Sequence, residues 1–313
     1  MRGYRQACLI TLLLTSTIAA AGDSPDQPFI ERTLVVAPLR VGDFVLEDSR
    51  YDPAHRFAGV ALRYFLPGRE DTRIDLFVYP HGRNDSEAAL DQGMRDFLAT
   101  LESAEQAGYY RGMRMTDAVE FDIPLTPGQT RTPDSAGSSD ATAPLVPAAI
   151  VPAENDPIAM LAGLPTVDRR IDGRMVGLAY DYPGQADGEW LPMHSRGYLL
   201  YRHLYFFKGR ISAAASRIDH DTFAALADRA MRELVPAVQA YNIGSCGDTS
   251  IDVDPSLPQK DMADMLMHQL VAAQARSETS NCHARPDEDE LAALGDGAEL
   301  VEIEYAPEDW RGN

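Results

Sequence analysis

Histidine, cysteine and clustered aspartate are the residues of this chain able to do chemistry, and their spacing limits which chemistry is open to them. Tyr79-Pro80-His81-Gly82-Arg83 closes an apolar alternating run just ahead of a helical pattern. His81 and Arg83 at a helix start could hold an anion, although most loop histidines are exposed turn residues. His194-Ser195 and His203 offer the parts of an acyl-transfer pair. Adjacent strand residues point to opposite faces, however, so His194 and Ser195 do not readily meet. Asp219-His220-Asp221 looks like a metal cluster, but its place before a helix favours capping. Asp248, Asp252 and Asp254 lack the glycine-bearing loop of an EF-hand. Cys246, His268, Cys282 and His283 fit no zinc-finger or ribbon spacing. There is no P-loop, G-x-G-x-x-G, H-E-x-x-H or haem-attachment motif, and no G-x-S-x-G elbow. No cofactor or metal is expected, and an enzyme is disfavoured.

The aromatic run Tyr198, Tyr201, Tyr205, Phe206, Phe207 is the strongest candidate for function. Strand alternation turns half of these rings away from any one core. If uncovered, they form an apolar patch for a partner or ligand; if a helix covers them, they are core.

The 313 residues carry 28 basic and 48 acidic side chains, a net charge of -20. Such a charge argues against nucleic acid and anionic membrane surfaces as partners. Arg2 and Arg5 precede an uncharged, mostly apolar stretch over residues 7–21 that ends in Ala19-Ala20-Ala21. This predicts a signal peptide over residues 1–21 and a periplasmic or secreted mature chain. The stretch is too short to span a bilayer, so no stable membrane span is expected after cleavage. Cleavage removes Cys8 and leaves Cys246 and Cys282, which in an oxidising compartment predict one disulfide.

The elements that must position these residues follow from periodicity. Residues 33–37 and 44–46 read as short strands. Residues 58–66 and 72–79 alternate Val60, Leu62, Tyr64 and Ile74, Leu76, Val78 inward, with Arg73 and Asp75 outward; Pro67-Gly68 between them marks an antiparallel pair. Residues 84–107 form the clearest helix, with Leu90, Met94, Phe97, Leu98 and Leu101 on one face, capping-box spacing at Asn84 and Glu87, and Gly108 as stop. Residues 113–123 return to strand. Residues 124–157 hold seven prolines and read as a flexible insertion. Residues 173–182 form a strand, and residues 195–216 a hairpin turning at Arg202-His203 or, on the glycine, at Lys208-Gly209. A second helix over 221–239, capped by Asp221 or Thr222, reaches Pro236, which kinks or ends it. A short strand over 250–253 and a third helix opening at Ser256 and Gln259 precede Cys282. Residues 287–313 hold ten acidic residues against Arg311 and read as a mainly solvated tail, with one strand at 299–305.

Runs of strands broken by helices indicate an α+β fold: an antiparallel sheet covered by helices, plus a small disulfide-tied C-terminal strand-helix module. One domain spans 22–123 and 158–243, and the module 244–286. The segments GVALRYFLPG, TRIDLFVYPHG and YLLYRHLYFFKGRIS resemble uncharacterised secreted proteobacterial proteins. The element order over about residues 40–240 resembles the Mog1/PsbP-type sandwich. That resemblance implies a non-catalytic binding or assembly factor. The expectation is an exported protein that binds a protein partner or small apolar ligand through an aromatic sheet face. The alternatives are an envelope hydrolase with His81, His194 or His203 as base, and a structural protein solubilised by its tail.

Overall fold

The computed structural model describes residues 30–82, 85–125, 170–184, 189–244, 258, 262, 264–270, 280–306 and 309. The signal peptide, residues 126–157 of the expected insertion, residues 158–169, Arg83, Cys246 and the expected strand at 250–253 lie outside them.

Alternating apolar residues build a large antiparallel sheet. Its strands in chain order are β2 (Arg40–Val41), β3 (Phe44–Tyr51), β4 (Val60–Phe65), β5 (Thr72–Pro80), β6 (Arg111–Met115), β7 (Val119–Glu120), β10 (Gly173–Pro183), β11 (Trp190–Arg202) and β12 (Tyr205–Ala214). They lie side by side as β2-β3-β4-β5-β12-β11-β10-β6, with β7 also pairing β10. A second sheet holds β1 (Ile30–Pro38), β13 (Gln239–Gly244), β14 (Cys282–His283) and β15 (Ala298–Glu304) in the order β14-β13-β1-β15. Here β13 and β14 run parallel, while β1 is antiparallel to both its neighbours. A third pair is β8 (Ile123–Pro124) with β9 (Arg170–Ile171).

Helix α1 (Ser86–Gln106) lies on one face of the large sheet, setting Leu90, Met94, Phe97 and Leu101 against Val176, Leu178, Leu199 and Phe206. The other face packs on α2 (His220–Ala237) and the second sheet. There Tyr64, Leu76, Tyr198 and Phe207 meet Phe223, Met231, Val35 and Ile303. A small outer layer, α3 (Glu288–Gly295), covers Leu34, Val36, Tyr241 and Ile243 on the far side of the second sheet. The fold is α+β with mostly antiparallel sheets. No helix among the described residues is long and apolar enough to cross a membrane.

The β4–β5 pair and the inward residues match the reading of the sequence. Asp75 does not stay open as expected: the guanidinium groups of Arg63 and Arg73 close over it, leaving it buried. Helix α1 is capped by Asp85, whose carboxylate accepts from the Ala88 N–H at 2.9 Å, and Gly108 with φ +79 ends it. Helix α2 starts one residue early because Asp219, not Asp221 or Thr222, accepts the Thr222 N–H at 3.0 Å. It ends right after Pro236.

The long hairpin turns at His203-Leu204, where φ is +55 and +68, as in a type I′ turn. Neighbours hold this unusual pair: the Leu204 carbonyl accepts from the His81 and Gly82 N–H groups, and the His203 carbonyl accepts from Asn242 Nδ2 at 3.0 Å. Gly209 is no turn residue. It lies inside β12, where a Cβ would sit 2.2 Å from Met231 Sδ, so it lets α2 approach the sheet.

The strand expected at 113–123 breaks into β6, β7 and β8. Residues 264–270 are helical as expected. The acidic tail departs most from expectation. Its strand is present, but β15 runs along β1 from Arg32↔Glu304 to Pro38↔Ala298 and α3 packs beneath it, so this segment is built into the fold.

Candidate functional site

A groove of about 680 Å³ opens where the small sheet, α2 and α3 meet. Its floor is the outer face of the second sheet: Val36 and Pro38 of β1 and Tyr241 of β13. One wall is the last turns of α2 with Pro236 and Ala237, the other the end of α3 with Ala293 and Leu294. Val41 and Gly42 close one side, with Glu233 Oε2 2.6 Å from where a Gly42 Cβ would sit.

The polar groups near the floor are already satisfied. Gln239 Nε2 donates to the Pro236 carbonyl at 2.6 Å, and Arg202 Nη1 donates to the same carbonyl at 3.1 Å. These bonds serve the carbonyls that a helix C-terminus leaves free. Arg202 is so enclosed that burial pulls its guanidinium down to about 10. Asn281, at φ +50, donates to the Ala240 carbonyl at 2.7 Å. His283 stacks flat on Tyr241, with ring centroids 3.8 Å apart.

Carboxylates outnumber cations in the groove lining among the described residues. α3 ends here with the partial negative charge of a helix C-terminus, whereas the last carbonyls of α2 are met by the Arg202 guanidinium. Glu233 and Asp296 add carboxylates. The one cation of the lining among the described residues, Arg232, is turned to the Asp122 carbonyl at 2.8 Å and to the Phe121 ring. An apolar cavity of this size with few polar groups has the shape of a small-ligand site. Its field favours a neutral or cationic occupant over an anion.

The residues singled out from the sequence fall elsewhere. Tyr198, Tyr205 and Phe207 are fully buried and Phe206 is 3% exposed, so the aromatic hairpin is core and not an open patch. α1 covers one side of it, α2 and the second sheet the other. Tyr198 OH donates to Asp228 at 2.6 Å and Tyr205 OH to Thr33 at 2.7 Å. Tyr201 is half-buried and bonds the Gly82 carbonyl.

The histidines do not assemble. His81 packs on Phe206 on the α1 face, its imidazole pushed down by burial. His194 lies beside His220 and Phe223 at the start of α2, its imidazole also pushed down by burial. His203 is in the hairpin turn beside Arg202, with Nδ1 lacking a hydrogen-bond partner. Ser195 points away from His194 and is spent on the Ile211 carbonyl and Ser212. The geometry a hydrolase would need at these positions is absent among the described residues. Asp219 caps α2, and no metal-holding cluster of His, Cys, Asp and Glu occurs among the described residues.

Sequence reasoning missed the groove because its walls are element ends. β13 follows the expected second helix with no element assigned to it, and α3 falls within the expected solvated tail. Two signals were present: Pro236 as a stop, and Asp287 with Glu290 at capping-box spacing before Leu291. No protein-family model matches the chain, and no curated protein matches it.

Proposed function

We propose that this is an exported, non-catalytic binding protein that holds a small apolar ligand, neutral or cationic, in the groove between α2, α3 and the second sheet. One observation carries the reading: a mainly apolar cavity of about 680 Å³ whose rim carries Glu233, Asp296 and the C-terminus of α3. Export rests on the signal-like N-terminus. The ligand site replaces the aromatic hairpin, whose rings are core.

The proposal includes a disulfide between Cys246 and Cys282. β14 runs parallel to β13 and sets Cys282 Sγ 3.9 Å from the Gly244 carbonyl, two residues from Cys246. Thiol titration of unfolded, non-reduced mature protein is expected to find none; two free thiols would contradict the pairing.

Dye binding tests the ligand site. The neutral dye phenylnaphthylamine is expected to brighten and saturate, and its sulfonated analogue to bind at least about tenfold more weakly. Ala293 is exposed on the groove wall, so Ala293→Trp is expected to block the dye while leaving the fold intact. Equal binding by wild type and A293W would overturn the assignment.

A further inference from the structure

The α1 face of the large sheet carries a pair of cations that the groove does not explain. Lys208 and Arg210 are two apart on β12 and so project from one face, with Cα atoms about 7 Å apart at strand spacing. Both are half-buried. The Lys208 ammonium is boxed by aromatic rings, 5.0 Å from the centroid of Phe77, 5.5 Å from Tyr79 and 5.6 Å from Phe97. Arg210 lies over Tyr110 and Tyr180 and donates to Tyr180 OH at 3.2 Å.

Neither cation has a carboxylate at salt-bridge distance among the described residues. Asp75, cross-strand from Arg210, is taken by Arg63 and Arg73. Asp96 on α1 accepts from Gln92. Burial and the neighbouring Arg210 push the Lys208 ammonium down. Positive charge with no carboxylate partner among the described residues is thus held half out of water, in a chain of net charge -20. Desolvated cations gain from a counter-ion. Hydroxyls continue the row: Ser212 Oγ is 3.2 Å from Tyr180 OH and 2.8 Å from Ser195 Oγ.

We propose that Lys208 and Arg210 form a binding site for a small oxyanion, a carboxylate or phosphate group, on the α1-covered face of the large sheet. The two cations supply the charge, and the phenols of Tyr110 and Tyr180 hold Arg210 in place. The aromatic box keeps Lys208 from folding back toward the acidic surface. This site is on the opposite side of the large sheet from α2 and needs nothing from the groove.

The chain has two lysines, Lys208 and Lys260, so lysine-selective carbon NMR shows two ε signals, and Lys260→Arg assigns them. Inorganic phosphate and acetate are titrated separately against sodium chloride at matched ionic strength. The Lys208 signal is expected to move saturably with at least one of the two, which then names the head group. Its titration midpoint should rise by about one pH unit at saturation. Arg210→Gln is expected to weaken the response at least about tenfold, and Arg210→Lys to retain most of it. A Lys208 response no larger than that to chloride, or one unchanged in R210Q, overturns the site. If R210Q does not fold, Lys208→Met read at the Phe77 amide replaces it: saturable shifts should vanish, and their persistence overturns the proposal.

Discussion

His203 shows how one residue couples the fold to pH. It occupies the first position of the hairpin turn at φ +55, where asparagine is at ease and histidine is not. Burial, with the charges of Arg202 and His283, holds its imidazole well below the usual histidine range. The unfolded chain takes up a proton on this residue near about pH 6.5, whereas the folded protein resists until far lower. Its share of stability is therefore complete above that value and declines as pH falls below it, by up to about 1.4 kcal/mol per pH unit. His203→Asn removes the titration and suits the turn. In denaturant melts it is expected to match or exceed wild type near about pH 7.5 and to gain further on it near about pH 5. Part of the acid sensitivity remains, because His81 and His194 are also pushed down by burial. Parallel pH profiles for the two proteins would contradict this account.

At the scale of elements, what could be read from the sequence was what repeats locally. The β4–β5 pair shows in the alternation of Val60, Leu62 and Tyr64, and α1 in the spacing of Leu90, Met94 and Phe97. The hairpin turn shows only as one of two options: the structure turns at His203-Leu204, one residue beyond Arg202-His203, while the signal at Gly209 reflects the close approach of Met231, from a helix later in the chain. The tail was misread for a related reason. Ten acidic residues suggest a solvated segment, yet β15 gains its strand character from the unpaired edge of β1, nearly the whole chain away. Ile303 is fully buried, and Tyr305 OH lies 2.6 Å from Tyr205 OH in the interior. Removing residues 287–313 would uncover Leu34, Val36 and Tyr241 and strip β1 of one partner strand. Truncation is expected to cost several kcal/mol, at about 25 cal/mol for each Å² of apolar surface uncovered, and to raise aggregation. A truncated protein that melts like the full chain would restore the view of the tail as a solubilising appendage.

For the whole molecule, the aromatic residues and the binding surface part company. The rings that looked like a patch fill the interior on both sides of the large sheet, because a sheet covered on two faces buries apolar side chains on both. Concavity arises instead where layers of unequal size end together: the second sheet is narrower than the large one, and α2 and α3 both stop at its outer face. That junction draws on β1, β2, α2, β13 and α3, which span most of the chain, so no local pattern could announce it. The direct test of the ligand site is methyl NMR with the neutral dye as probe. The methyl signals of Val36, Val41 and Leu294, all lining the groove, should shift together and saturate at one midpoint, while those of Leu199 and Leu200 in the sheet interior stay in place. Shifts confined to other methyl groups, or none during full titration, would contradict a ligand site at this junction.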